Sequence, residues 1–412
     1  MVDRAVQEKY AELVLKMGVN LQKAQPLFVN APVEGAEFAR VLAKEAYALG
    51  ASEVHINWED DELTRLKYAY AEESVLEHYP EWKVQLQESY AEAGAAFVSI
   101  HATDPDLLNE VDPSRVAKAS KAAGLALKTF REYIMNDRVT WTVISIPTEA
   151  WARKIFPDKT AAEAVASLWN EILKMVRVDQ EDALRAWQDH NATLERAHRF
   201  LNEKQYTALR FTAPGTELEV GLPERHIWQG GTATSSKGVV FNPNMPTEEV
   251  YTAPHAYRVN GTVASTKPLN YGGTIIDNFS LTFKDGEVVD FSAEQGEAVL
   301  KNLLETDDGA ARLGEVALVP HESPVSQSGL IFFNTLFDEN ASCHIAFGKA
   351  YPTSIEGGPD MDEAELDAHG INDSMVHVDF MIGSAEMDID GVLPDGTTEP
   401  VFRRGTWAIP LE

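Results

Sequence analysis

The sequence predicts an α/β protein in which an N-terminal α/β domain with a mainly parallel sheet is followed by a mixed α+β domain. Three observations support this prediction. The chain has 412 residues, of which 44% are hydrophobic, so it is too long for one ordinary core and apolar enough for two or three domains. Its first half alternates buried strands with helices. Its second half consists of short strands separated by Gly, Pro and Asn turns.

The first half begins with a helix in QEKYAELVLKMG that ends at Gly18. Buried strands are predicted in AQPLFVNAP, SEVHINWED, AAFVSIHATDP and VTWTVISIPT. Helices are predicted between them in GAEFARVLAKEAYALG, DELTRLKYAYAEES, EWKVQLQESYAEAG and PSRVAKASKAAGLALKTFREYIMN. Strands separated by helices of about 10 to 15 residues are typical of βαβ units and a parallel sheet. No G-x-G-x-x-G or G-x-x-x-x-G-K-[ST] motif is present, so no motif supports nucleotide binding.

The boundary between the domains is predicted in the helices around residues 185 to 205. From about residue 160 the pattern is helical, in AAEAVASLWNEILKMVRV and EDALRAWQDHNATLERAHRFLN. It then changes, because YTALRFTAPGTELEVGLPE has the pattern of a hairpin. We therefore expect an N-terminal α/β domain at residues 1–190 and a C-terminal domain at residues 191–412.

Composition excludes several classes of partner. Lys and Arg number 35 against 65 Asp and Glu, a net charge of −30, whereas nucleic-acid surfaces need basic stripes. No uncharged apolar stretch approaches the length of about 18 residues that spans a membrane. The single cysteine, Cys343, excludes an intramolecular disulfide and a Cys-based zinc site. The start of the chain reads as a charged amphipathic helix rather than a signal peptide, so we expect a cytoplasmic protein without nucleic-acid or membrane partners.

The segment DSMVHVDFMIG has the period-two pattern of a strand. Val376, Val378 and Phe380 form one apolar face, and His377 and Asp379 point together from the other. An ordinary half-buried strand carries Thr, Lys or Ser on its wet face. An imidazole and a carboxylate placed side by side are therefore candidates for metal binding.

Two other carboxylate segments have structural alternatives. In FNPNMPTEEVYTAP, Glu248 and Glu249 follow a Pro-Thr turn, a pattern that also fits the start of a helix. In ARLGEVALVP, Glu315 interrupts an apolar strand, where an unpaired buried carboxylate would cost several kcal/mol. Glu315 is therefore either a paired, functional carboxylate or a glutamate that faces solvent at an edge.

A third polar segment, FNTLFDENASCHIAFGKAYP, holds four candidates, each with a packing or surface alternative: Asp338, Glu339, His344 and Tyr351. Cys343 is predicted to be a small buried hydrophobe. His321 and Glu322 in PHESP are a rival pair, although their prolines favour a loop. GTATSSKG could bind an anion through its backbone, but such loops are common.

Together these carboxylates and histidines would suit two divalent ions bridged by a carboxylate, as in two-metal hydrolases. Imidazole and carboxylate ligands without thiolate favour zinc, cobalt or manganese. The absence of H-E-x-x-H excludes a one-zinc peptidase of the thermolysin type.

Several long motifs, in order and spacing, resemble those of the thermophilic aminopeptidase family, the dinuclear metallopeptidases that include aminopeptidase T, aminopeptidase S and PepS. These motifs are NMPTEEVYTAP, GEVALVP, FNTLFDENASCHIAFGKAYP and HVDFMIG, with PTEAWA in the N-terminal half. The resemblance covers essentially the whole chain. It implies that the C-terminal domain is catalytic and carries the metals.

The resemblance also implies the roles of individual residues. Glu315 and Tyr351 match the residues regarded as catalytic, with Glu315 bridging the ions. The implied metal ligands are Glu249, Glu315, Glu339, His344, His377 and Asp379. Two divalent ions per subunit (Zn, Co, Mn or Mg) and a homodimer are implied as well.

The resulting hypothesis is removal of the N-terminal residue from peptides that have a free N-terminus. A hydroxide bridging the two ions would attack the carbonyl, Tyr351 would donate to the oxyanion, and Glu315 or Glu248 would carry the proton. One alternative is a dinuclear phosphoesterase or amidase, for which Arg403 and Arg404 are the nearest obvious basic pair. A non-enzymatic metal-binding scaffold is a second alternative.

Overall fold

A computed structural model describes residues 2–271 and 274–411 of the chain. The chain divides into two compact units. The first contains the residues up to Asp189 together with Thr232–Pro246, and the second contains His190–Gly231 and the chain from Thr247 onward. The boundary expected from sequence is a single cut after residue 190, whereas the structure packs Thr232–Pro246 with the first unit.

In the first half of the chain the helices and strands follow the order expected from the sequence patterns, whereas in the second half the structure also describes four short helices that the strand-and-turn pattern did not predict. The α-helices are α1 Arg4–Leu13, α2 Ala36–Ala48, α3 Asp61–Tyr70, α4 Glu73–Leu76, α5 Glu81–Glu92, α6 Pro113–Ala126, α7 Lys128–Met135, α8 Glu149–Ile155, α9 Ala161–Met175, α10 Ala183–Lys204, α11 Glu297–Leu304, α12 Pro324–Ser328, α13 Thr335–Asp338 and α14 Glu363–Ala368. The strands are β1 Leu27–Pro32, β2 Val54–Glu59, β3 Ala96–Ile100, β4 Trp141–Ile144, β5 Ala208–Ala213, β6 Thr216–Gly221, β7 Ala233–Thr234, β8 Val240–Phe241, β9 Val250–Thr252, β10 Val259–Ala264, β11 Leu269–Tyr271, β12 Thr274–Lys284, β13 Glu287–Gln295, β14 Leu313–Leu318, β15 His344–Gly348, β16 His377–Met381, β17 Asp388–Val392, β18 Thr398–Arg403 and β19 Thr406–Trp407.

The first unit is built on a parallel sheet with the strand order β2-β1-β3-β4. Strand β1 pairs in parallel with both β2 and β3, and β3 pairs in parallel with β4. This confirms the predicted fold class. The first helix of the chain continues beyond α1 as a π-helical turn, Val14–Gly18, and so ends at the predicted glycine.

The segment Thr232–Pro246 joins the first unit through backbone hydrogen bonds and a buried side chain. The amide of Asn242 donates to the carbonyl oxygens of Met17 and Gly18, and the amide of Val143 in β4 donates to Pro243. Met245 is fully buried in the core of this unit. The sequence of this segment did not indicate these contacts, because most of them are made by backbone groups that are the same in nearly every residue.

The second unit contains two antiparallel sheets over one continuous apolar core. The larger sheet runs β11-β12-β10-β6-β5-β17-β18-β19, with β13 paired to β12. Its β5–β6 hairpin is tightly connected, with Ala213 opposite Thr216, which confirms the hairpin predicted in this segment. The smaller sheet has the order β16-β15-β14-β9. Among the described residues, no helix is long and apolar enough to cross a membrane.

Two hairpin glycines of the second unit allow a matched test of packing. Gly286, between β12 and β13, has φ +85°, and a Cβ placed on it would lie 1.8 Å from the carbonyl oxygen of Ala256. Gly396, between β17 and β18, has φ +83°, and no atom of the described residues lies within 4 Å of its added Cβ. The two positions therefore share backbone strain and differ in available space.

We expect Gly396→Ala to lower the free energy of unfolding by about 1–2 kcal/mol, the cost of a left-handed alanine. Gly286→Ala should cost about 1–3 kcal/mol more, because its methyl group must displace backbone. Urea unfolding of both variants measures the difference. Equal losses would show that the contact with Ala256 does not constrain this hairpin.

Candidate metal centre

The smaller sheet places acidic and imidazole side chains from different strands on one face. In β14, Glu315 lies opposite Ala346 of β15, and Ala346 in turn lies opposite Asp379 of β16. His377 of β16 lies opposite Gly348. Directly opposite residues of antiparallel strands share a face of the sheet. The small residues at positions 346 and 348 leave room on this face for the ionisable side chains to approach one another.

A bulge in β14 determines which way Glu315 points. The pairing register shifts between Leu313 and Glu315. Leu313 packs in the core with Val316, although period two would put Leu313 on the same face as Glu315. The extra residue, Gly314, therefore re-aims the strand so that the carboxylate faces the site while Leu313 stays in the core.

The first group of candidate ligands, called the first ligand group below, consists of Glu249, Glu315 and His344, all of them buried. Nε2 of His344 lies 3.3 Å from Oε2 of Glu249 and 3.5 Å from Oε1 of Glu315. Nδ1 of the same imidazole lies 3.1 Å from the carbonyl oxygen of Ser342. Because a carbonyl only accepts, Nδ1 carries a proton, and Nε2 is the nitrogen that faces the carboxylates and would bind an ion.

The second ligand group consists of Glu315, His377 and Asp379. Nε2 of His377 lies 3.7 Å from Oε2 of Glu315 and 3.5 Å from Oδ1 of Asp379. Nδ1 of His377 donates to the carbonyl oxygen of Lys349 at 2.7 Å. In each group the ligand atoms all lie within 4.8 Å of one another. Glu315 belongs to both groups, with one oxygen facing each.

The electrostatics show that this cluster holds more negative charge than its imidazoles balance. Burial raises the pKa of Glu315 to about 7, and repulsion from Asp379 and Glu249 adds to the effect. Burial alone would lower the pKa of His344, but its hydrogen bonds to Glu249 and Glu315 outweigh burial and hold the pKa well above the ordinary value. The pKa of His377 rises to about 9, because Asp379 outweighs burial in the same way.

The residues present fit divalent metal ions. Within the part of the chain that the structure describes, Oδ1 of Asp379 is buried and makes no hydrogen bond, although Nε2 of His377 lies 3.5 Å from it. A buried carboxylate oxygen without a donor is costly unless a cation satisfies it. The donor set contains carboxylate oxygens and imidazole nitrogens only, which suits zinc, cobalt or manganese.

Two predicted site residues lie near these groups without belonging to either. Tyr351 follows β15, and its ring centroid lies 5.1 Å from that of His377. Burial, followed by the negative charge of Glu315, raises the pKa of the Tyr351 phenol, so the hydroxyl stays protonated and can donate. Glu339 stands in a 3-10 turn after α13; burial and repulsion from Glu249 raise its pKa.

The structure removes the structural alternatives for the carboxylates. Glu249 is followed by β9 and not by a helix. Every residue of β14 is buried, and this strand lies between β15 and β9, so Glu315 does not face solvent from an edge. Asp338 instead closes a local loop, since its carboxylate accepts from the amides of Phe332 and Asn334 at 2.7 and 3.0 Å.

The remaining candidates have structural partners of their own. The Arg403 guanidinium donates to Asp390 and to the carbonyl oxygens of Phe402 and Ile389. Nδ1 of His321 is hydrogen-bonded to the hydroxyl of Ser326 at 3.1 Å. Cys343 is 2% exposed and packs in the core of the second unit.

Sequence reasoning missed the groups that hold the ligands in place. These are the carbonyls of Ser342 and Lys349 and the buried asparagines Asn340 and Asn372. A backbone carbonyl leaves no trace in residue identity. The signal available was Gly314, because a glycine inside a strand pattern often marks a bulge.

Comparisons with known proteins agree with this geometry. The family model described as "Thermophilic metalloprotease (M29)" matches residues 4–407. The chain is 57% identical to Aminopeptidase 2 of Geobacillus stearothermophilus and 45% identical to Aminopeptidase T of Thermus thermophilus, each over 98% of both chains. It also resembles the structure of wild-type AmpT from Thermus thermophilus, with a TM-score of 0.93 and 43% identity over 98% of this chain and 100% of that one.

We expect Gly314→Ala to weaken metal binding by about 10-fold or more, a cost typical of disturbing the groups that orient ligands. The added Cβ would lie 2.3 Å from the carbonyl oxygen of Lys349, which orients His377, and 2.4 Å from that of Gly348. Metal titration calorimetry measures the affinity. Gly124→Ala, where the nearest atom is a flexible arginine nitrogen at 3.4 Å, is the control. Unchanged affinity in Gly314→Ala would contradict the role assigned to the bulge.

Proposed function

The chain belongs to the thermophilic metalloprotease family and is a metal-dependent aminopeptidase, and we propose that two divalent ions occupy its site, one in each ligand group. The observation that carries this proposal is the sharing of Glu315. One carboxylate oxygen faces His344 and the other faces His377. A carboxylate placed in this way suits a bridge between two cations.

The proposed ligands are Glu249, Glu315 and His344 for one ion and Glu315, His377 and Asp379 for the other, with Glu339 as a further contributor. Zinc, cobalt, manganese and magnesium are the candidate ions. When bound, such ions lower the pKa of a coordinated water and polarise a carbonyl.

Glu315 and Tyr351 are the proposed catalytic residues. Glu315 links the two ligand groups, because it is the only side chain common to the groups found among the described residues. Tyr351 lies beside His377 at the open side of the cluster and is 39% exposed. Its protonated hydroxyl donates a hydrogen bond to the oxygen that becomes negative as the scissile carbonyl is attacked.

The proposed substrates are peptides with a free N-terminus. A free N-terminal amine has a nitrogen lone pair, and one of the two ions would hold this amine while the other polarised the scissile carbonyl. In an acetylated N-terminus this lone pair is delocalised into the amide, so the nitrogen is a poor ligand.

We also propose a homodimer. Several large apolar side chains of the first unit are exposed, among them Leu63 (64%), Tyr70 (77%) and Trp82 (63%). No side chain of α3, a helix that the structure describes throughout, is buried. Leu63 and Tyr70 stand two turns apart on the same face of α3, and an exposed apolar face favours an interface between copies of the chain.

We place the enzyme in the cytoplasm. Its single cysteine is buried and free, so the fold needs no intramolecular disulfide and is suited to a reducing compartment.

Chelation tests the proposed function. Dialysis against a chelator should abolish hydrolysis of an aminoacyl-nitroanilide, because the site then lacks the ions that activate water and polarise the carbonyl. Adding back Zn²⁺ or Co²⁺ should restore the hydrolysis. N-acetylated aminoacyl-nitroanilide should remain uncleaved with metal present. Activity that survives complete metal removal, or equal cleavage of the acetylated compound, would rule the proposal out.

Metal stoichiometry should distinguish the shared ligand from an unshared one. Glu315→Gln removes a carboxylate that faces both groups, so we expect both ions to be lost or weakened together. Glu249→Gln removes one ligand of the first group, so one ion should remain. Elemental analysis after gel filtration counts the ions in each variant. If Glu315→Gln retained one tightly bound ion, the bridge would be assigned wrongly.

Tyr351→Phe should lower kcat by about 10²–10³-fold, the loss typical of an oxyanion donor. Metal content should stay that of the wild type, because the phenol belongs to neither ligand group. Steady-state kinetics with parallel metal analysis measures both quantities. Loss of metal, or an unchanged kcat, would contradict the assigned role.

A further inference from the structure

We infer that two buried asparagines, Asn340 and Asn372, are positioning residues, each for one of the two ligand groups. This inference rests on the proposed two-ion site. It adds that different side chains hold the first and the second ligand group in place. Asn340 is fully buried and Asn372 is 7% exposed. Asn340 connects backbone segments that the strand pairing of the smaller sheet leaves unconnected, and Asn372 adds hydrogen bonds at the end of β15, where the ladder with β16 stops.

The sheet alone does not fix Glu249. Pairing between β9 and β14 runs from Val250 opposite Leu318 to Thr252 opposite Val316, so Glu249 stands just outside the ladder. Its partner His344 is on β15, which pairs with the other side of β14. The 3.3 Å distance between Glu249 and His344 therefore needs a connection besides the strands.

Asn340 supplies that connection. Its Oδ1 accepts from the amide of Glu248, directly before Glu249, at 2.6 Å. Its Nδ2 donates to the carbonyl oxygen of Leu336 at 2.9 Å, and its own carbonyl accepts from the hydroxyl of Ser323 at 3.2 Å. Two residues further, the carbonyl of Ser342 orients His344. One side chain thus joins the backbone that precedes each of these two ligands.

Asn372 has the equivalent place in the second group. Its Nδ2 donates to the carbonyl oxygens of Gly348 and Gly309, at 2.6 and 2.9 Å. Its own carbonyl accepts from the amide of Ala350 at 2.9 Å. These bonds hold the chain on both sides of Lys349, whose carbonyl accepts from Nδ1 of His377 at 2.7 Å. The Asn372 side chain, through its bond to Gly348, therefore helps to position the carbonyl that orients the His377 ring.

The two connections use different segments of the chain, so their effects should be separable. Groups that orient metal ligands typically contribute about 10- to 100-fold to metal affinity. A general loss of packing would instead lower the affinity of both ions. Since both asparagines are buried in the same unit, each serves as the matched control for the other.

The test is Co²⁺ titration of the metal-free, full-length enzyme, followed by calorimetry and visible absorption, in two backgrounds. In Glu249→Gln, which retains the ion of the second group, Asn372→Ala should weaken Co²⁺ binding by about 10- to 100-fold. In the same background, Asn340→Ala should change the Co²⁺ affinity by no more than about twofold, which is the deviation from additivity typical of two independent sites. In the Asp379→Asn background, which retains the ion of the first group, Asn340→Ala should weaken Co²⁺ binding and Asn372→Ala should leave it nearly unchanged.

Asn340→Ser and Asn372→Ser, which keep a shorter hydrogen-bonding side chain, replace any alanine variant that does not fold. Equal weakening in both backgrounds, or no weakening in either, would overturn the inference while leaving the two-ion site intact. A wild-type enzyme that binds a single Co²⁺ would overturn the proposed site and this inference together.

Discussion

Burial of the Glu315 carboxylate is the constraint on which the rest of the site depends. This side chain stands in a strand that is buried throughout, and burial, with added repulsion from Asp379 and Glu249, raises its pKa to about 7. An uncompensated charge there costs several kcal/mol, and neighbouring charges of the same sign add to that cost. Protonated imidazoles of His344 and His377 balance only part of the negative charge of these carboxylates. The cluster is therefore suited to binding cations.

The fold keeps these ligands in place with backbone groups. A bulge at Gly314 turns Glu315 toward the site while Leu313 stays in the core. Carbonyl oxygens of Ser342 and Lys349 fix the tautomers of His344 and His377. Such groups cannot change rotamer, so the proposed ligands would be preorganised and would lose little entropy on binding an ion.

Sequence patterns predicted the fold class and the face shared by His377 and Asp379, because strand periodicity follows directly from side-chain alternation. For Glu249 and Glu315 the residues alone left structural alternatives, since one chain does not show which carboxylates meet in space. The family resemblance chose between them. The bulge at Gly314 and the positions of Asn340 and Asn372 were not predicted, because they depend on pairing between segments far apart in sequence.

Crystallography of the Co²⁺-loaded enzyme, with data collected on both sides of the cobalt absorption edge, is the most direct test of a bridge formed by Glu315. We predict two anomalous peaks about 3.5–4 Å apart, each within about 2.0–2.2 Å of a different oxygen of Glu315. A single peak, or a pair of peaks that Glu315 does not join, would contradict it.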